Sequence, residues 1–96
     1  MDLSTARHAF ITGGASGIGL GLADALAARG IRVTIADING EAAHHLAQTR
    51  GEGFQALKLD VRDIGDWQAA KAAAEATFGA VDIFINNAGI APDGLE

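Results

Sequence analysis

Four short apolar runs alternate along this chain with three stretches of helical periodicity, and this alternation limits the possible folds more than any other feature. The runs predict strands at residues 8–12, 32–37, 54–59 and 81–86. The stretches between them predict helices at residues 17–29, 40–50 and 64–78, each followed by a glycine. Such alternation is typical of a doubly wound α/β fold, in which a parallel sheet carries helices on both faces. The expected strand order is 3-2-1-4.

The fourth predicted strand indicates whether residues 1–96 form a complete sheet. Ile83, Phe84 and Ile85 make a continuous apolar run, which is typical of a strand that is covered on both faces and paired on both sides. In the expected order this strand lies at an open edge of the sheet, an arrangement that proteins usually avoid. We therefore expect the sheet to be incomplete at its C-terminal side, with residues 1–96 forming the front part of a longer single domain.

Composition and charge exclude several classes of function. Hydrophobic residues make up 49% of the chain and charged residues 20%, an ordinary globular composition. The net charge of −5 and the scattered lysines and arginines argue against nucleic-acid binding. Without cysteine there is no thiolate metal site and no cysteine nucleophile. No apolar run approaches the roughly 20 residues that span a bilayer, and no signal peptide is recognisable, so we expect a cytoplasmic protein without a membrane partner.

The segment Thr12-Gly13-Gly14-Ala15-Ser16-Gly17-Ile18-Gly19 lies between the first predicted strand and the first predicted helix. A pyrophosphate binds at a helix N-terminus, whose roughly half-unit positive charge offsets the anion without any lysine. A Cβ at Gly13 or Gly17 would obstruct the turn or the ligand, and Gly19 lets the helix pack on the sheet. The segment therefore predicts a dinucleotide-binding loop, with Ser16 and Ile18 among its contacts. The alternative is a glycine-rich turn that only links strand to helix.

Two other nucleotide-binding motifs also contain a glycine-rich loop. A Walker-type loop needs a lysine and then a serine or threonine after its last glycine, but Leu20 and Gly21 follow Gly19. A methyltransferase also uses a glycine-rich first loop, but its ligand does not need glycines spaced for a pyrophosphate. Both alternatives are therefore disfavoured.

Asp37 ends the second predicted strand, about 20 residues after the glycine-rich segment. A carboxylate at this position accepts hydrogen bonds from the adenosine ribose hydroxyls and would repel the additional phosphate of NADP. Neither Ser16 nor Ile38 supplies the arginine that would bind that phosphate. Asp37 therefore predicts NAD as the cofactor. The alternative is that Asp37 only caps the turn that follows it.

The glycine-rich segment and Asp37, together with Asp60-Val61 after the third strand and Asn86-Asn87-Ala88-Gly89 after the fourth, resemble the short-chain dehydrogenase/reductase family. The resemblance implies a Rossmann-type fold, NAD(H), and hydride transfer between an alcohol and a ketone. It places Asp60 at the adenine amino group and Val61 along the ring. It places Asn87 and Gly89 beside the adenosine ribose, includes Ala88 among the cofactor-binding residues, and gives Asn86 a role in steadying the central sheet. It also implies a homodimer or homotetramer. Without the resemblance, Asp60 could cap a loop and the asparagines could be turn residues.

The residues that carry catalysis in this family are not found in the chain. The family uses a tyrosine and a lysine four residues apart, with a serine and a further asparagine, all after the segment that matches here. The chain has no tyrosine, and Lys58 and Lys71 fall in the third strand and third helix. We assign no catalytic residue and, because His44 and His45 point to different helix faces, no metal site. Two hypotheses remain: an NAD-dependent oxidoreductase completed by absent residues, and a non-catalytic dinucleotide-binding module or truncated product.

Overall fold

A computed structural model of the chain describes residues 6–15 and 17–87, in which four strands alternate with three helices. The elements are β1 (His8–Thr12), α1 (Gly17–Ala27), β2 (Arg32–Asp37), α2 (Gly40–Arg50), β3 (Phe54–Lys58), α3 (Ile64–Phe78) and β4 (Ile83–Asn86). All neighbouring strands are parallel, and their order is β3-β2-β1-β4. The doubly wound α/β fold and the strand order predicted from the sequence are confirmed.

Local capping sets the bounds of α2 and α3, which match the predicted ones. The side chain of Asn39 accepts the backbone N–H of Ala42, and that of Asp63 accepts the N–H of Asp66, each at 3.1 Å. These bonds satisfy amides that have no partner within the helix. Both helices end at a glycine with a φ of +86°, Gly51 and Gly79, a conformation in which a Cβ is unfavourable.

Three predicted bounds differ from the structure by one or two residues. α1 ends at Ala27 because the amides of Arg29 and Gly30 turn back to carbonyls only three residues earlier, tightening the last turn. β3 ends at Lys58 instead of residue 59. β4 begins at Ile83, two residues later than predicted, because the Asp82 carboxylate accepts the amides of Arg7 and His8 beside the start of β1.

The sheet separates two layers of apolar packing. On one face α1 and α2 pack on alternate strand residues around Ile11, Val33 and Ile35, which are fully buried. On the other face α3 packs over Phe10, with Ala70 and Ala74 buried against the sheet. Because side chains alternate across a strand, each strand supplies both layers, and the carboxyl ends of β1, β2 and β4 converge on one edge.

The outer side of β4 is an open edge within the described part of the chain. There β4 pairs with β1 alone, and the side chain of Phe84 is 51% exposed. Phe84 lines an apolar groove of about 520 Å³ on the α3 face, together with Phe10, Trp67, Lys71 and Val81. Among the described helices, none has the length and hydropathy needed to span a membrane.

Candidate dinucleotide-binding site

The glycine-rich loop lies across the end of β2. Gly13 has a φ of +67°, and its N–H donates to the carbonyl of Ala36 at 2.7 Å. A Cβ on Gly14 would lie 2.8 Å from the Cγ2 of Ile35, closer than packed atoms tolerate. Gly13 therefore permits the turn, whereas Gly14 permits the loop to lie against β2.

Gly17 and Gly19 occupy the first turn of α1, but their surroundings are opposite. A Cβ on Gly17 would meet no described atom within 4 Å, so this side of the helix N-terminus is open. A Cβ on Gly19 would collide with the carbonyl oxygen of Gly13 and would lie 2.9 Å from the side-chain nitrogen of Asn87. The close packing predicted for Gly19 is therefore made with the loop and the residue after β4. Ile18 is 70% exposed beside the open position.

The carboxylate of Asp37 contacts two backbone amides. One oxygen accepts the N–H of Asn39 at 3.0 Å, which is the turn-capping role considered above. The other oxygen accepts the N–H of Ala15 in the glycine-rich loop at 3.1 Å. Asp37 thus caps the turn and also reaches the glycine-rich loop, and its contact with an adenosine ribose stays a prediction.

Asn86 and Asn87 connect the end of β4 to β1 and its loop. The side-chain N–H of Asn87, which is only 9% exposed, donates to the carbonyl of Gly13 at 3.2 Å. Asn86 accepts the hydroxyl of the buried Thr12 at 2.8 Å. Both asparagines therefore hold β4 against β1 at the carboxyl edge of the sheet.

A family model described as short chain dehydrogenase matches residues 7–95. The chain belongs to the short-chain dehydrogenase family. Galactitol 2-dehydrogenase of Agrobacterium fabrum is 48% identical over 84 residues, which are 88% of this chain and 33% of that protein. D-threitol dehydrogenase of Mycolicibacterium smegmatis is 42% identical over 88 residues, which are 88% of this chain and 34% of that protein.

Solved structures of short-chain dehydrogenases share the fold. A 3-ketoacyl-(acyl-carrier-protein) reductase from Brucella melitensis, crystallised with NADH, superposes with a TM-score of 0.80 at 36% identity and covers 86% of this chain. A sorbitol-6-phosphate 2-dehydrogenase from Erwinia amylovora gives the same TM-score at 33% identity. The chain spans about a third of the length of these proteins, 34% in each case.

Asp60, the predicted adenine contact, lies just beyond β3, and an arginine holds its carboxylate. Both side-chain oxygens accept N–H groups of the Arg62 guanidinium at 3.0 Å, and one also accepts the backbone N–H of Arg62. These hydrogen bonds lower the pKa of Asp60 to about 2. The Asp-x-Arg spacing of residues 60–62 is the sequence signal for this pair. Val61 is half-buried against the α3 layer, and its carbonyl accepts the indole N–H of Trp67 at 2.8 Å.

Three predicted cofactor contacts, Ser16, Ala88 and Gly89, lie outside the described residues. The structure brings Gly13, Gly17, Gly19, Asp37 and Asn87 together at one edge of the sheet. In the described ranges, residues 6–15 and 17–87, there is no group of three or more acidic or histidine side chains placed to hold a metal ion.

A buried hydrogen-bond network lies at the other end of the sheet, and the sequence patterns above did not predict it. The ring of His8 is fully buried, with Nδ1 2.9 Å from the carbonyl of Gly79 and Nε2 2.7 Å from the hydroxyl of Thr34. The side-chain amide of Gln55 donates to both that hydroxyl and the carbonyl of Ala74. The signal was a polar residue on the α3-facing side of each of three neighbouring strands. This hydrogen-bond network connects β1, β2 and β3 to α3 and lies far from the glycine-rich loop.

Proposed function

We propose that this chain forms the NAD(H)-binding part of an oxidoreductase that interconverts a small alcohol and a ketone. The observation that carries the proposal is the open position at Gly17, at the N-terminus of an 11-residue helix and directly after the loop. A pyrophosphate can approach the backbone closely there, and the partial positive charge of the helix favours it. The dehydrogenase names of the relatives and the NADH-bound neighbour support the same proposal.

The preference for NAD over NADP rests on Asp37 and Ile38. Asp37 lies at the end of β2 with its carboxylate beside the loop, where an adenosine ribose would present its hydroxyls. Ile38 is 57% exposed and offers no positive charge to a ribose phosphate. A 2′-phosphate would therefore be repelled by the carboxylate of Asp37.

Proton transfer to or from the substrate needs groups that these 96 residues do not supply. The chain contains no tyrosine, Lys58 lies at the exposed end of β3, and Lys71 forms an ion pair with Glu75 on α3. General acid–base catalysis is worth roughly 10²–10⁴-fold, and positioning of the substrate can be worth more. We propose that these groups belong to a longer, cytoplasmic, dimeric or tetrameric protein of which residues 1–96 are the dinucleotide-binding portion.

Equilibrium titration with NADH, followed by nicotinamide fluorescence, tests the binding site. The matched pair is Gly17→Val and Gly21→Val, since both glycines lie in α1 with open space at the Cβ position. Only Gly17 belongs to the loop motif. We expect Gly17→Val to abolish binding and Gly21→Val to retain it. Normal binding by Gly17→Val would exclude this location for the pyrophosphate.

Activity assays separate the oxidoreductase from a non-catalytic binding module. Residues 1–96 and any longer product of the same reading frame are compared with NAD(H) and a panel of secondary alcohols and ketones. Turnover in the longer product alone supports the oxidoreductase. Cofactor binding without turnover in either protein supports the non-catalytic module. Comparable turnover by residues 1–96 would contradict the assignment of proton transfer to residues outside them.

A further inference from the structure

Asp37 makes one contact that recognition of a ribose does not require. Its carboxylate accepts the N–H of Ala15, a residue 22 positions earlier in the chain, at 3.1 Å. Ala15 lies in the glycine-rich loop between β1 and α1. The side chain of Asp37, at the end of β2, therefore constrains the loop that follows the neighbouring strand, β1.

The neighbouring loop amides are held at the same place. The N–H groups of Gly13 and Gly14 both point to the carbonyl of Ala36, at 2.7 and 3.4 Å, and the next amide, that of Ala15, points to the side chain of Asp37. Three consecutive loop amides thus bind to the end of β2. The first two use a backbone carbonyl that every residue type provides, whereas the third depends on the residue type at position 37.

We infer that Asp37 is a positioning residue for the phosphate loop, in addition to being the acceptor for the ribose hydroxyls. Its hydrogen bond to Ala15 holds the loop in the conformation that receives a pyrophosphate before any ligand arrives. Ordering a loop in advance removes part of the entropy cost of binding. The inference rests on the proposed function for the identity of the ligand, but the hydrogen bond itself can be tested without one.

The comparison of Asp37→Asn with Asp37→Ala isolates this bond. Both variants remove the same negative charge, so the repulsion between position 37 and a phosphate is equal in the two. The asparagine keeps one of the two oxygens, which can accept the N–H of Ala15 in place of that of Asn39, whereas the alanine keeps neither. Inorganic pyrophosphate is the probe, because it has no ribose and cannot report contacts with ribose hydroxyls.

We expect inorganic pyrophosphate to bind Asp37→Ala about three- to tenfold more weakly than Asp37→Asn, the factor that corresponds to one neutral hydrogen bond. Binding is measured by NMR titration of the ¹⁵N-labelled chain. Hydrogen exchange of the Ala15 amide should be faster in Asp37→Ala than in Asp37→Asn by a similar factor, whereas exchange of the Leu26 amide in α1 should not differ.

Asp37 also caps the turn to α2 through the backbone N–H of Asn39, so the effect of a loosened turn needs its own control. Asn39→Ala removes the side-chain N-cap of α2 and so loosens this turn, but it keeps the backbone N–H of residue 39 and the contact between Asp37 and Ala15. We expect this variant to bind pyrophosphate as the unmodified chain does. Weakening as large as that in Asp37→Ala would assign the effect to the turn and overturn the inference.

The remaining outcomes decide the two proposals separately. Equal pyrophosphate affinity in Asp37→Asn and Asp37→Ala, or equal exchange of the Ala15 amide, overturns the positioning role while leaving the proposed function intact. Failure of the unmodified chain to bind either pyrophosphate or NADH contradicts the proposed function. In that case the exchange rate of the Ala15 amide still decides whether Asp37 holds the loop.

Discussion

The side-chain amide of Asn87 donates to the carbonyl of Gly13 across 74 positions of sequence, joining the residue after β4 to the start of the glycine-rich loop. The same amide nitrogen lies 2.9 Å from the position that a Cβ on Gly19 would take, so the loop, the first turn of α1 and the end of β4 meet at one point. Any change at this point should affect both the stability of the sheet and the shape of the loop.

Asn87→Ala should lower the free energy of unfolding by about 0.5–1.5 kcal/mol, because it removes the hydrogen bond that the nearly buried Asn87 side chain donates to the carbonyl of Gly13. Urea denaturation measures this change. Asn86→Ala is the control and should lower the free energy of unfolding by less. Asn86 is exposed, and the Thr12 hydroxyl that donates to it can still donate to the carbonyl of Ile85, 3.4 Å away. A larger loss of stability in Asn86→Ala than in Asn87→Ala would contradict this prediction.

Gly17→Val should affect cofactor binding alone, whereas Gly19→Val should affect both stability and binding. At Gly17 the new side chain enters open space, so the fold should persist while NADH binding is lost. At Gly19 it collides with the carbonyl of Gly13, so the free energy of unfolding should fall by about 1–3 kcal/mol and binding should weaken as well. Circular dichroism with urea and a cofactor titration distinguish the two. Equal loss of stability in both variants would show that the open side at Gly17 was misidentified.

Substitutions at Asp37 and Ile38 should change the choice of cofactor. Asp37→Ala should relax the preference for NAD, because it removes the charge that faces the 2′-phosphate. Adding Ile38→Arg should shift the preference toward NADP by supplying a bidentate phosphate ligand. The ratio of the two dissociation constants is the measurement. Equal affinity of the unmodified protein for both cofactors would refute the role of Asp37 in selectivity.

The pair of Asp60 and Arg62 should make a pH-dependent contribution to stability. Hydrogen bonds from Arg62 lower the pKa of Asp60 from 3.8 to about 2. A carboxyl whose pKa is lower in the folded state stabilises the fold above its unfolded pKa and loses that effect as the pH falls through the folded value. The difference in Tm between the unmodified chain and Arg62→Gln should therefore be constant above about pH 5 and disappear between about pH 4 and pH 2.

Salt provides the control for that pair. Arg62 is highly exposed, with 79% of its side-chain surface accessible, so 1 M NaCl should reduce the difference in Tm. Arg29→Gln removes an exposed arginine that has no ion pair among the described residues, and it should show no such pH window. A difference in Tm for Arg62→Gln that stays unchanged down to pH 2 would rule out Asp60 as its cause.

The exposed edge of β4 should cause residues 1–96 to self-associate. The ring of Phe84 lies 5.2 Å from that of Trp67, the only tryptophan, so burial of the groove should shift the emission of Trp67 to shorter wavelength as concentration rises. Phe84→Ser should reduce association in sedimentation velocity. Ile64→Ser, at a 76% exposed residue outside the groove, should not. Association unaffected by Phe84→Ser would place the contact elsewhere.

Capping signals predicted the helix bounds well where the cap is local. Asn39 and Asp63 each bond to an amide three residues away, so α2 and α3 could be located to the residue. β4 was located less well, because its start depends on Asp82 accepting amides 74 and 75 positions earlier. The alternation of the seven elements was enough to predict the parallel sheet and its order, because handedness and short connections leave few other topologies.

The sequence by itself determined which residues could form a phosphate loop, since glycine spacing and the position after a buried strand are local properties. The tertiary structure alone decided that Gly17 is open while Gly19 is closed, and that Asp37 holds Ala15. It also paired Asn87 with Gly13 and buried His8 against Thr34. Each of these contacts joins residues that are far apart in the sequence, so a local sequence pattern cannot predict it. They exist because parallel strands bring their carboxyl ends, and likewise their amino ends, to common edges of one sheet.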